Sequence, residues 1–143
     1  MHEARRTEVF DVPVEAFYET VIAYDEYPEF VPALREVEIF KQTKTKAHVA
    51  FTANSPLGAV HYTVNLKQKP NREVTWTLEE SNVFRKMEGG WELLETEDGG
   101  VEVTYHVLAV PKVPAPGPLV RSLASRGLPK MLRSFRDRAA ERE

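Results

Sequence analysis

The stretch Val101-Glu-Val-Thr-Tyr-His-Val-Leu-Ala-Val110, followed at once by Pro111-Lys-Val-Pro-Ala-Pro-Gly-Pro118, divides the chain into two kinds of sequence. The first ten residues alternate apolar Val101, Val103, Tyr105 and Val107 with Glu102, Thr104 and His106, the period-two signature of a half-buried strand. Four prolines within residues 111–118 can neither continue that strand nor sit inside a helix. They predict a stiff, extended connector. Beyond it, Val120, Leu123, Ala124, Leu128, Met131, Leu132, Phe135 and Ala139 keep a 3.6-residue period, which predicts one long amphipathic helix over about 117–141. Gly127 and Pro129 interrupt it, and Pro129 removes the bond to residue 125, so a kink is expected there.

Upstream of the break the period is almost everywhere two. Residues 34–42, 46–54, 59–69, 73–80 and 86–95 each alternate an apolar with a polar face, and residues 4–10 read as a further strand. The links Asn54-Ser55-Pro56-Leu57-Gly58, Lys69-Pro70-Asn71-Arg72 and Glu97-Asp98-Gly99-Gly100 are turn chemistry, so neighbouring strands should run antiparallel. Two short helices come between the first and second strands. Val14, Phe17, Tyr18, Val21 and Ile22 fit one helical face, and Pro28 opens a brief second piece that Pro32 closes. The expected class is α+β, with seven antiparallel strands presenting one apolar face. The C-terminal helix is the only element large enough to cover it. A curved sheet gripping that helix leaves space between them.

The inward face mixes large amphipathic rings with small residues. Phe51, Tyr62, Trp76, Met87, Trp91 and Tyr105, together with Leu123 and Met131 of the helix, are candidate ligand-binding residues. Rings with a polar tip suit the wall of a ligand site. The same rings can also simply fill a core, and pattern alone leaves both readings open. The binding reading requires a cavity of several hundred Å³, within the usual range of about 300–1,000 Å³.

The remaining signals exclude more than they assign. The chain has 143 residues, a net charge of −3 and no cysteine. That fits one domain spanning 1–143, without disulfide, thiolate metal site or cysteine nucleophile. The charge argues against a general nucleic-acid binder. No apolar run approaches the ~20 residues of a membrane span, and no apolar segment follows Arg5-Arg6, so the expected compartment is the cytoplasm. The four histidines lack metal-ligand spacing, and His48, His61 and His106 fall on the outer sheet face by alternation. No serine sits in a nucleophile elbow. Gly89-Gly90 lacks the Lys-Ser/Thr of a phosphate loop and reads as a bulge or a close backbone contact. No catalytic residue, metal or cofactor is assigned. Asp25, Glu26 and Glu29 read as a solvated acidic rim, or as an acid/base pair if buried. Residues 117–143 carry seven Lys/Arg against three carboxylates, which allows a peripheral membrane or protein contact through the last helix or the Val83-Phe84 hairpin tip.

The element order, strand–two helices–six strands–long helix, resembles the START-related helix-grip superfamily, the group of polyketide cyclases, dehydrases and lipid-transport proteins. The most specific piece is Val21-Ile22-Ala23-Tyr24-Asp25-Glu26-Tyr27-Pro28-Glu29-Phe30-Val31-Pro32, which is similar to a segment of the coenzyme Q-binding and ribosome-association-toxin branch. Trp91-Glu92-Leu93 and the final helix fit as well. The resemblance implies a hydrophobic or aromatic ligand, lipid, quinone or polyketide-like, held between sheet and helix. Its alternative is a cyclase or dehydratase using the hydroxyls of Tyr62 and Tyr105.

Overall fold

The computed structural model describes residues 2–55, 58–112 and 128–142. Strand β1 (His2–Phe10) leads into helix α1 (Val14–Ile22), a single 3-10 turn (Tyr24–Glu26) and the four-residue helix α2 (Tyr27–Phe30). Six strands follow: β2 (Leu34–Gln42), β3 (Lys46–Ser55), β4 (Gly58–Lys69), β5 (Glu73–Ser81), β6 (Phe84–Glu95) and β7 (Val101–Pro111). Helix α3 (Leu128–Ala140) ends the described chain. The seven strands form one antiparallel sheet in the order β1-β7-β6-β5-β4-β3-β2. Consecutive strands from β2 to β7 are neighbours, as their short turns require, and β1 closes against β7. This is the helix-grip architecture. The 3-10 turn escapes a search for 3.6-residue periodicity because it is only one turn long.

Several bulges bend the sheet. Arg35 and Phe40 are skipped in the pairing of β2 with β3, Glu79 in β5 and Arg85 in β6. A bulge adds an unpaired residue and sharpens the local twist. Phe40 is thereby turned outward, where it lies against the His48 ring and remains half exposed. Gly89 and Gly90 carry no bulge, since their pairing with Trp76 and Thr75 on one side and Val107 and His106 on the other is regular. They are close contacts instead. A Cβ on Gly89 would lie 2.3 Å from the His106 carbonyl oxygen and 2.9 Å from the Trp76 ring. The Trp76 indole occupies the space that any other residue at 89 would fill.

The concave face buries Val49, Val64, Val74, Trp91, Leu93 and Val103. Helix α3 lays Leu128, Leu132, Phe135 and Ala139 toward the interior, the i, i+4, i+7, i+11 stripe of an amphipathic helix. Phe135 is the junction, with ring centroids 4.7 Å from Trp91, 5.1 Å from Tyr27, 5.0 Å from Phe30 and 6.4 Å from Phe17. The first half of the expected 117–141 helix, Leu123 with it, and the carbonyl involved in the expected Pro129 kink lie outside the described residues. So does much of the proline-rich connector.

Candidate functional site: an aromatic cavity between sheet and helix

A cavity of about 140 Å³ lies between the concave face and the helices. Its sheet wall is built by alternation: Phe51 from β3, Tyr62 and Leu66 from β4, Trp76 from β5, Met87 and Trp91 from β6, and Tyr105 and Val107 from β7. Met131 and Phe135 of α3 lie opposite. Tyr24, Tyr27, Val31 and Leu34, from the irregular segment between α1 and β2, complete the lining. Seven of the eight candidates from the sequence therefore meet around one space, and Leu123 falls outside the described residues. The sequence reading missed the contributions of Tyr24, Tyr27 and Phe135. For Tyr24 and Tyr27 the available signal was the aromatic spacing within residues 24–32, and for Phe135 its place on the apolar stripe of the last helix.

The volume corrects the expectation of several hundred Å³. The rings themselves take up the room. Phe51 stacks on Tyr62 at 5.2 Å and on Tyr27 at 6.0 Å, while Tyr105 meets Trp91 at 4.7 Å and Trp76 at 5.6 Å. Both open readings of these aromatics thus hold in part: most of their surface packs as core, and the remainder bounds a small cavity.

Four tyrosines line the cavity, and their hydroxyls fall into two classes. Tyr24 Oη donates to Gln68 Oε1 at 2.9 Å, and Tyr27 Oη donates to the Val21 carbonyl. Gln68 is a buried amide that continues the inward register of Tyr62, Val64 and Leu66, and it donates to the Thr43 and Lys44 carbonyls. Tyr62 and Tyr105, by contrast, are partly buried residues whose hydroxyls have no hydrogen-bond partner among the described residues. Removal from water disfavours the phenolate. Burial pushes Tyr62 up to about 12, and burial together with the neighbouring Tyr62 pushes Tyr105 up as well. Both are neutral donors at physiological pH. No described lining residue carries a charge.

The acidic cluster is corrected too. Glu26 accepts from Arg142 Nη2 at 2.6 Å and from Arg138 Nε at 3.2 Å, and Glu29 accepts from Arg138 Nη2 at 2.7 Å. Arg142 Nε also donates to Thr20 Oγ1 at 3.0 Å, and the Arg138 guanidinium sits 5.3 Å from the Phe30 ring centroid. Glu29 and Asp25 are exposed, as a rim would be, but Glu26 and Glu29 are ion-paired and do not form an acid/base pair. They clamp the 3-10 turn and α2 to α3, and Asp25 alone of the three is left exposed without an ion pair among the described residues. The clamp also removes Arg138 and Arg142 from the free basic face expected of the last helix. Of the outer-face histidines, His48 bonds Glu79 at 2.7 Å and His61 bonds Thr52 at 3.1 Å. His106 is only partly exposed: its Nδ1 is buried and has no partner among the described residues. Val83 and Phe84 are partly buried, with Phe84 packed on the core.

A seven-stranded sheet closed by a C-terminal helix, over a cavity whose described lining is aromatic and uncharged, defines a helix-grip protein in architecture. The sequence model for polyketide cyclase/dehydrase and lipid transport proteins matches residues 10–136, and the chain belongs to that family. Among solved structures it is similar to a START superfamily protein from Mycobacterium smegmatis (TM-score 0.85, 16% identity, 100% of each chain covered). It is also similar to an aromatase/cyclase from a Streptomyces species (TM-score 0.85, 13% identity, 99% of this chain and 94% of that one). A third is a STAR-related lipid transfer protein from Xanthomonas axonopodis (TM-score 0.73, 17% identity, 96% and 85%). At such identities the likeness is one of fold, and fold does not carry function with it. A search of curated proteins finds no match. No helix among the described residues is long and apolar enough to cross a membrane.

Proposed function

We propose that this chain is a binding or carrier module for a hydrophobic or aromatic small molecule, held in the cavity between the sheet and α3. The observation that carries this reading is the cavity itself, whose described wall is apolar and aromatic, uncharged, and supplied with two phenols that no described residue engages. Few polar groups in an apolar concavity is the usual composition of a small-molecule site. Ligand contact is assigned to Phe51, Tyr62, Trp76, Met87, Trp91, Tyr105 and Met131. The family match over 10–136 supports reading the chain as one such domain. The likeness of residues 21–32 to the coenzyme Q-binding branch adds quinones to the classes worth testing.

The second reading is a cyclase or dehydratase. It draws on the same two hydroxyls, which can donate a proton to a developing oxyanion. Enolisation also needs a group that accepts a proton, and neutral tyrosines with raised pKa values are poor bases at pH 7. The described wall therefore favours binding. Native mass spectrometry of the purified protein, followed by denaturing extraction, tests this reading. A discrete bound organic mass that is lost in Val107→Phe, which fills the cavity, is the expected result. A mass retained in that variant would refute the assignment of the cavity as the site.

A further inference from the structure

Two hydroxyls that no described residue engages and the small volume together restrict what can enter. We propose that the cavity selects a single-ring molecule bearing a hydrogen-bond acceptor such as a ketone or quinone carbonyl, with Tyr62 and Tyr105 donating to that acceptor. The proposal rests on the binding reading above and narrows it.

Size comes first. The cavity measures about 140 Å³. An engineered protein cavity of ~150 Å³ holds one benzene ring. A second fused ring or an extended acyl chain would require the wall to move. That wall is braced. Phe135 is held by four aromatic neighbours, and α2 is tied to α3 through Glu26, Glu29, Arg138 and Arg142. Trp76 packs closely over Gly89, where a Cβ would lie 2.9 Å from its ring.

Polarity comes second. Tyr24 and Tyr27 spend their hydroxyl protons on Gln68 and on the Val21 carbonyl. Tyr62 and Tyr105 spend theirs on no described group. A donor that no described protein group engages is open to an acceptor brought by a ligand. The Phe51 and Tyr27 rings beside Tyr62, and the Trp76 and Trp91 rings beside Tyr105, supply faces on which a flat ring stacks. A ligand that is itself only a donor would find no described acceptor side chain in the wall apart from these phenols.

The test uses the whole chain and four probes: toluene, acetophenone, 2-acetylnaphthalene and dodecanoate. Both tryptophans of the chain line the cavity, so their fluorescence reports occupancy directly. Acetophenone should bind about three- to ten-fold more tightly than toluene, the range of one net hydrogen bond. It should also bind more tightly than the two larger probes. In the Tyr62→Phe/Tyr105→Phe double variant the preference for acetophenone over toluene should vanish, with an unchanged near-ultraviolet dichroism of the two tryptophans showing that the cavity is still formed. Equal binding of toluene and acetophenone by the unmodified chain, or a preference that survives in the double variant, would overturn the donor role. Tighter binding of 2-acetylnaphthalene or dodecanoate would overturn the size limit and leave the binding reading standing. Failure of all four probes would overturn the binding reading itself.

Discussion

Raising the pH across the tyrosine range should unfold the protein before its phenols ionise. The chain has five tyrosines, and burial raises the pKa of every one: Tyr18, Tyr24, Tyr27, Tyr62 and Tyr105. For Tyr62 the folded value is about 12 against 10.0 in the unfolded chain. Between those two values the native state holds a proton that the unfolded state has lost, so stability falls as pH rises. Below pH 10 the contribution is intact. The difference between 10.0 and about 12 corresponds to about 3 kcal/mol for Tyr62 alone. Tyr105 adds a loss of the same sign. Against a typical total stability of about 5–15 kcal/mol, two such groups bring a domain of this size near its limit. The assay is the phenolate band in near-ultraviolet difference spectra, recorded alongside far-ultraviolet circular dichroism as pH increases. No phenolate should appear in the folded protein at pH 10, and the band should rise in one step together with loss of the dichroism. Tyr62→Phe should shift that step to higher pH and remove its own share of the loss. A phenolate phase with two-tyrosine amplitude near pH 10, with the dichroism unchanged, would refute the reasoning, because it would mean that Tyr62 and Tyr105 are open to water.

Other perturbations follow from individual contacts. Phe135→Ala removes the ring on which Trp91, Tyr27, Phe30 and Phe17 converge, and should cost about 3–5 kcal/mol, read as a fall in melting temperature of about 10–15 °C. Gly89→Ala should destabilise by about 2 kcal/mol or more and should weaken the near-ultraviolet dichroism of Trp76, because its Cβ would collide with that ring and with the His106 carbonyl. Hydrogen bonds from Arg142, then the Arg142 charge and the Arg138 contacts, hold Glu26 below its ordinary 4.5. Its contribution is therefore present above that value and is lost as pH falls through the lowered one. Glu26→Gln should cost about 1 kcal/mol at pH 7 in chemical denaturation, less in high salt, and nothing measurable at pH 2.

Most of the fold could be read from the sequence because its signals are local. Strict alternation in Val60, Tyr62, Val64 and Leu66 identifies a strand and its inward face without any partner. Asn71, with φ 62°, and Gly99, with φ 83°, sit in the turns where residues tolerant of that region were expected. The element order, together with residues 21–32, Trp91-Glu92-Leu93 and the final helix, supplied the family. What the sequence did not reveal depends on long-range geometry. The ion pairs of Glu26 with Arg138 and Arg142 join residues more than a hundred positions apart, so each end looked like an isolated solvated charge. His106 alternates outward as predicted, yet its Nδ1 is buried, and alternation gives direction without depth. The cavity volume was overestimated for a related reason. Listing Phe51, Tyr62, Trp91 and Tyr105 as wall residues says nothing of how their rings stack against one another. Gln68 could have been found, since it continues the inward register of its strand beyond Leu66.

The ligand is expected in the space among Tyr62, Trp76, Trp91 and Tyr105. A crystal of the protein soaked with 4-bromoacetophenone tests it, because anomalous scattering locates the bromine without reference to any expected pose. The account predicts a bromine peak inside the cavity, with the carbonyl oxygen within hydrogen-bond reach of the Tyr62 or Tyr105 hydroxyl. Bromine found only on the outer surface, with the cavity empty at a concentration that saturates the protein in solution, would contradict it.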